Sequence, residues 1–203
     1  MKKRIWLFLA MICLAGGLLS SLKQTAQIAA YGVTPQTLID VMNQYPAKVP
    51  FSTKQVYWIE PLGDSHTIAF VKTEKAHLLL VLQQTDSTYR IIRLIRQAPQ
   101  PNDWFEGRLL QVEQKRYLVV YGENRSRNLN RLTFDPYKST YDGKQERNVP
   151  LKDIKRTLDV RKKDSFHTIQ ALPEAFPQSL FFDIHAVDAQ GNEKLRRLSN
   201  TLD

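Results

Sequence analysis

The chain has 203 residues, 42% hydrophobic and 10% aromatic, which excludes wholesale disorder and supplies enough apolar side chains for a packed core. Its single cysteine, Cys13, excludes an internal disulfide. The formal charge of +9 includes Lys2, Lys3, Arg4 and Lys23; without them 25 basic residues face 20 acidic ones, so the rest of the chain is +5.

Those four cations bracket the uncharged run Ile5–Leu22. As a helix, 18 residues reach roughly 27 Å, just enough for a bilayer core of about 30 Å. Three cations before the run and one after it keep the N-terminus in the cytoplasm and place the remainder outside. The run is therefore expected to be a transmembrane signal anchor over 1–23. The alternative is a signal peptide cleaved near Gly17, since Ala15-Gly16-Gly17 offers small residues, but Leu18 and Leu19 continue the apolar run and favour retention. Cys13 follows Ile12 in mid-run, unlike a lipid-modified cysteine, and reads as a small apolar residue facing lipid.

Residues 24–53 read as a juxtamembrane linker and a short helix. Thr34 is placed to cap the helix, Pro35 takes its first position, and Leu38, Val41, Met42 and Tyr45 recur on one face before Pro46 ends it. From Lys54 the period becomes that of strands. QVYWIEPL, HTIAFVK, HLLLVLQQ and YRIIRLI alternate with the turn segments LGDS, TEKA and TDST, which predicts an antiparallel meander. In the last run Ile91, Ile92 and Ile95 favour a bulged strand over a helix. The loop 97–107, with Pro99, Pro101 and Asn102-Asp103, breaks the meander, and Trp104 and Phe105 at its exit are expected to pin it to the core.

A second meander is expected from GRLLQVEQ, RYLVVYGEN and NLNRLTF, with Gln114 and Lys115 at the centre of a tight hairpin. Asp142-Gly143 marks another hairpin tip. The stretch 152–163 holds six cations and two acids and reads as helix-like or irregular, with Ile154 and Leu158 on one side. A strand-like segment then precedes Pro173 and Pro177. LFFDIHAV alternates as a strand into the turn AQGNE, and the chain closes in a polar tail. The exported part, 54–203, is thus expected to be mainly β, with Ile68, Phe70, Leu79, Val81, Val119, Tyr121, Leu132, Phe182 and Ile184 in its core.

The order LVVYGEN, LNRLTF, DGK, FFDIHAVDAQGNE, carrying Gly122, Asp188 and Gly191 over about residues 117–193, resembles small membrane-anchored or secreted β-rich proteins of Gram-positive bacteria without assigned function. The resemblance implies that compartment and fold class and transfers no site residues.

The glycines have neither dinucleotide nor Walker spacing, and no G-x-S-x-G elbow occurs. His66, His77, His167 and His185 lie in separate segments, so a metal site requires tertiary convergence. Asp183 with His185, and Ser165 with His167, stand two apart on extended segments and share a face; wet-face polar residues are the default reading of such pairs. Glu106, Glu113 and Glu123 are candidate carboxylates for glycoside chemistry, with nothing in the sequence to pair them. No catalytic, cofactor or metal residue is expected.

Three functions fit these expectations. The first is a tethered, extracytoplasmic, non-catalytic domain that binds a protein partner or an envelope component. The second is an envelope-acting hydrolase of unrecognised type. The third is a polyanion-binding module using Lys152, Lys155, Arg156, Arg161, Lys162 and Lys163, with no specific nucleic-acid partner. Membrane contact in all three runs through Ile5–Leu22.

Overall fold

The computed structural model describes residues 32–100, 103–141, 146–151, 156–173 and 180–199. Among the described residues the protein is mainly β, in antiparallel sheets with one α-helix, so the sheets set the architecture. The run Ile5–Leu22, Asp142-Gly143, Ile154 and Pro177 lie outside the described residues. Among the described residues no helix is long and apolar enough to cross a membrane. The chain divides into two compact units, Met1–Pro99 and Gln100–Asp203, at the proline-rich loop.

In the first unit, α1 (Pro35–Gln44) begins where expected. The Thr34 hydroxyl accepts from the Thr37 N–H at 3.1 Å, and the Thr37 hydroxyl accepts from the Thr34 N–H at 3.2 Å. Pro35 costs nothing at N1, where no N–H is needed. Leu38 and Met42 are buried, with Val41 and Tyr45 beside them.

A short 3-10 turn, Thr53–Gln55, leads into β1 (Val56–Pro61), β2 (His66–Lys72), β3 (His77–Thr85) and β4 (Thr88–Gln97). They pair antiparallel in the order β1-β2-β3-β4, as a meander must when its loops are this short. Ala69 and Val71 of β2 and Leu78, Leu80 and Leu82 of β3 form one core with α1. On the opposite face, Phe70 is paired with Leu79 and Ile68 with Val81, and all four are buried. The expected bulge in β4 is present: Val81 pairs with Arg93 and Leu82 with Ile91, leaving Ile92 as the extra residue.

The second unit is a sandwich of two antiparallel sheets. One has the order β10-β6-β5, from β10 (Ser165–Leu172), β6 (Lys115–Glu123) and β5 (Trp104–Val112). The other runs β12-β11-β7-β8, from β12 (Glu193–Ser199), β11 (Leu180–Val187), β7 (Arg131–Tyr141) and β8 (Glu146–Pro150), with β9 (Arg156–Asp159) also on β7. Phe105, Leu118, Val120 and Phe166 of the first sheet share a core with Leu132, Phe134, Phe182 and Ile184 of the second. Leucine and phenylalanine at alternate positions face inward because strand side chains alternate. All nine expected core residues are buried.

Four expectations are corrected. The second meander does not form: β6 pairs with β5 and β10, while β7 belongs to the other sheet, between β11 and β8. The β5–β6 hairpin turns one residue earlier, at Glu113-Gln114, since Val112 pairs with Lys115. Part of the basic stretch is a strand, not a helix or irregular segment. Leu158 packs against the core between exposed Thr157 and Asp159, the alternation a strand imposes, and pairs with Leu132. The polar tail is also partly a strand: β12 completes a hairpin with β11, satisfying backbone groups along that strand.

Gly122 shows how closely β5 and β6 approach. A Cβ there would lie 2.2 Å from the Trp104 carbonyl oxygen and 2.7 Å from the Phe166 ring. Trp104 and Phe105 are buried as expected. The Trp104 indole meets the edge of Tyr121 with centroids 5.8 Å apart, and its N–H donates to Glu123 Oε2 at 3.1 Å.

Candidate functional site

Three connections gather at one end of the sandwich: 124–130 after β6, 160–164 after β9 and 188–192 after β11. Asn124, fully buried, ties the first two. Its amide nitrogen donates to the carbonyls of Leu129 at 2.9 Å and Val160 at 3.1 Å, and its Oδ1 accepts from the Leu129 N–H at 3.1 Å. Asn130 extends the tie through its backbone, donating to Val187 O at 2.8 Å and accepting from the Val160 N–H at 2.9 Å.

The third connection is organised by Asp188. Its Oδ1 accepts from the N–H groups of Gln190 at 3.0 Å and Asn192 at 2.8 Å, and its Oδ2 meets Lys194 Nζ at 3.1 Å. Gly191 supplies a φ of +84° with open space around it. Burial pushes the Asp188 carboxyl up, but the donors from Asn192, Lys194 and Gln190 outweigh it and hold the group below the usual carboxylate range.

Two clefts flank this junction. The larger, about 720 Å³, is bounded by Asp103, Arg127, Asn130, Asp188, Gln190 and Lys194. The smaller, about 470 Å³, shares Asn130, Asp188 and Gln190 and adds Arg131, Asp159 and Arg161. Most of their charged groups are held by hydrogen bonds or ion pairs. Asp103 Oδ1 accepts from the Ser126 N–H at 3.0 Å, and Oδ2 takes the Ser126 hydroxyl. Arg127 Nε meets Asp164 Oδ1 at 2.8 Å, which lowers the Asp164 carboxyl and raises the guanidinium. Arg161 grips Asp159 through both Nε, at 3.0 and 3.1 Å, and its own backbone N–H at 2.9 Å; these hydrogen bonds bring Asp159 down to about 2. The result is a set of hydrogen-bond donors and acceptors held in place before any ligand arrives.

Of the six basic residues singled out in the sequence, Lys152 and Lys155 lie outside the described residues. Arg156 is exposed on β9, Arg161 lines the smaller cleft, and Lys162 and Lys163 are exposed in the turn that follows. The structure therefore places Arg161 and Arg131, which the sequence did not link, on the lining of one cleft and couples Arg161 to an acid two residues away.

The other candidates are dispersed. Ser165 and His167 are on β10 of one sheet; Asp183 and His185 are on β11 of the other. His185 bridges strands, its Nδ1 2.6 Å from Glu193 Oε2 and its Nε2 3.8 Å from Asp135 Oδ2. His66 meets the Ser65 hydroxyl at 3.0 Å, and His77 packs edge-on to Phe70. Glu123 is buried between Trp104 and Arg125, Glu106 meets Arg108 at 3.6 Å, and Glu113 occupies the hairpin turn. Among the described residues no group of three histidine, cysteine or acidic side chains is placed to hold a metal ion.

Asn124, Asn130 and Lys194 went unnoticed in the sequence. Gly191 and Asn192 were visible in the turn AQGNE, and Asp188 only as a residue of the resemblance. An aspartate followed by Gly-Asn at positions three and four signals an Asx-type turn, but nothing local reveals that the turn borders a cleft. No family model, curated protein or solved structure matches the chain.

Proposed function

We propose that the protein is a membrane-anchored, extracytoplasmic binding domain that recognises a polar component of the cell envelope at the junction of Asn130 and Asp188–Gln190. The observation that carries this reading is the pair of clefts whose donors and acceptors are already fixed by Asn124, Asp188 and the Arg127–Asp164 and Arg161–Asp159 pairs. Pre-ordered polar groups lose little conformational freedom on binding, which is what a recognition site requires. The anchor is Ile5–Leu22, with the N-terminus inside. That placement agrees with the resemblance to anchored or secreted β-rich proteins of Gram-positive bacteria.

The test is sedimentation of full-length protein in detergent with purified cell-wall sacculi, with and without their anionic polymers. The expected result is binding that Asn130→Ala with Gln190→Ala abolishes at an unchanged melting temperature. Absence of wild-type binding to either preparation would sink the reading.

A second reading is polyanion contact through Lys152, Lys155, Arg156, Arg161, Lys162 and Lys163, supported by the meeting of Arg131 and Arg161 in one cleft. It requires binding only to polymer-bearing sacculi. It also requires loss of that binding on replacing Lys162 and Lys163 by Glu, and weakening with salt as the Debye length falls from about 10 Å at 0.1 M to 3 Å at 1 M.

A further inference from the structure

The first described residues of the first unit lie close in sequence to the apolar run. Val33 is fully buried in the core of α1 and the sheet. Gly32, at a φ of +70°, lies so close to Tyr89 that a Cβ would come within 2.5 Å of the phenolic oxygen. Tyr89 belongs to β4, so Gly32 sits against that strand. Only residues 23–31 separate Leu22 from this point. Nine residues reach about 30 Å at full extension and less otherwise. If Leu22 ends a membrane span, β4 is held near the bilayer surface.

β4 has the composition such a position calls for. It carries Arg90, Arg93 and Arg96 and no acid. Arg90 bonds the neutral carboxamide oxygen of Gln83 at 3.0 Å through Nε, and among the described residues no ion pair neutralises the exposed Arg90 or Arg96, while Arg93 is half-buried with one guanidinium nitrogen inside the protein. The bulge turns Ile92 outward, leaving 43% of it exposed, an apolar side chain between cations on the outer strand of the sheet. Long arginine side chains lay their stems on apolar surface while presenting charge to headgroups. An anionic leaflet attracts each such cation, with an effect of about fivefold on the docked population per residue.

We infer that β4 docks on the anionic lipid headgroups of the membrane that anchors the chain, through the exposed Arg90, Arg96 and Ile92. This rests on the reading of Ile5–Leu22 as a retained anchor. The docked strand holds the first unit at the surface.

The experiment uses the full chain with Cys13→Ser and Ile92→Cys, spin-labelled at position 92, in nanodiscs of phosphatidylglycerol or of phosphatidylcholine alone. Collision with oxygen, which favours lipid, is compared with collision with a water-soluble nickel complex. In phosphatidylglycerol the label should favour oxygen; in phosphatidylcholine it should read as aqueous. Replacing Arg90 and Arg96 by Gln should lower the docked population about fivefold for each residue changed. Raising salt to 1 M should do the same without any change to the fold. An aqueous label in phosphatidylglycerol, on a chain that stays with the discs, overturns this inference alone. Recovery of the chain free of discs overturns the anchor reading and this inference with it.

Discussion

The two units bury polar groups in contrasting ways. In the first, Thr73 is buried in the β2–β3 turn, and its hydroxyl serves residues no more than three positions away: it donates to Ala76 O at 2.9 Å and accepts from the N–H groups of Lys75 and Ala76. In the second, Asn124 reaches Leu129 five residues on and Val160 thirty-six residues on. Pairing follows the same division. The first sheet joins each strand to the one before it, whereas β6 pairs with β10 and β7 with β11. Local ties make a turn; distant ties make a junction with clefts on either side, because only distant segments leave space between them.

The largest test of this contrast is Gly122→Val. The new side chain would collide with backbone at Trp104 and Phe105, atoms that cannot move without breaking the β5–β6 pairing. Loss of protection of the β6 and β10 amides in hydrogen exchange is expected. Phe182→Ala, in the shared core, should cost about 3–5 kcal/mol in denaturant unfolding. A β6 that tolerates valine would mean the close approach is not required.

Next is Asn124→Ala, which strands the Leu129 and Val160 carbonyls and the Leu129 N–H in a buried setting. The expected loss is about 1–3 kcal/mol for each group left without a partner and without water. Thr73→Val should cost less, since its short turn can rearrange within itself. Equal losses would remove the distinction between local and distant ties.

Acid should act on the second unit's junction. Asp159, Asp164 and Asp188 are all more acidic folded than an ordinary carboxylate, through Arg161, Arg127 and the Asn192–Lys194 donors respectively. A group depressed on folding contributes fully above its unfolded value of about 3.9 and loses that contribution as pH falls through its folded value. Asp159 completes this at about 2. The urea midpoint should therefore fall below about pH 4, and Asp188→Asn should flatten that part of the profile while lowering the midpoint at pH 7.

The smallest effect compares one hairpin from each unit. The first loop residue has positive φ in both: Asp86 at 54° between β3 and β4, and Glu113 at 55° between β5 and β6. Aspartate tolerates this region better than glutamate does. Glu113→Gly should therefore stabilise by up to about 1 kcal/mol, and Asp86→Gly by less, read from melting curves.

Local chemistry made much of the first unit legible. Thr34-Pro35 opens a helix because a hydroxyl caps an N–H and proline needs none, and β1 to β4 follow from alternation plus turns too short for any other pairing. The nine core residues were readable for the same reason: strand side chains alternate whatever the topology. The sequence also determined the charge bias around Ile5–Leu22 and the position of Gly191 in the turn AQGNE. Only the tertiary structure decided that β6 leaves β7 for β10, that Leu158 makes a strand of the basic stretch, and that β12 ends the chain in a hairpin. It alone brought Asn124 to Val160 and set Arg131 and Arg161 on the lining of one cleft. These are placements of residues far apart in sequence, chosen by which apolar faces close one core, and no single segment carries that information.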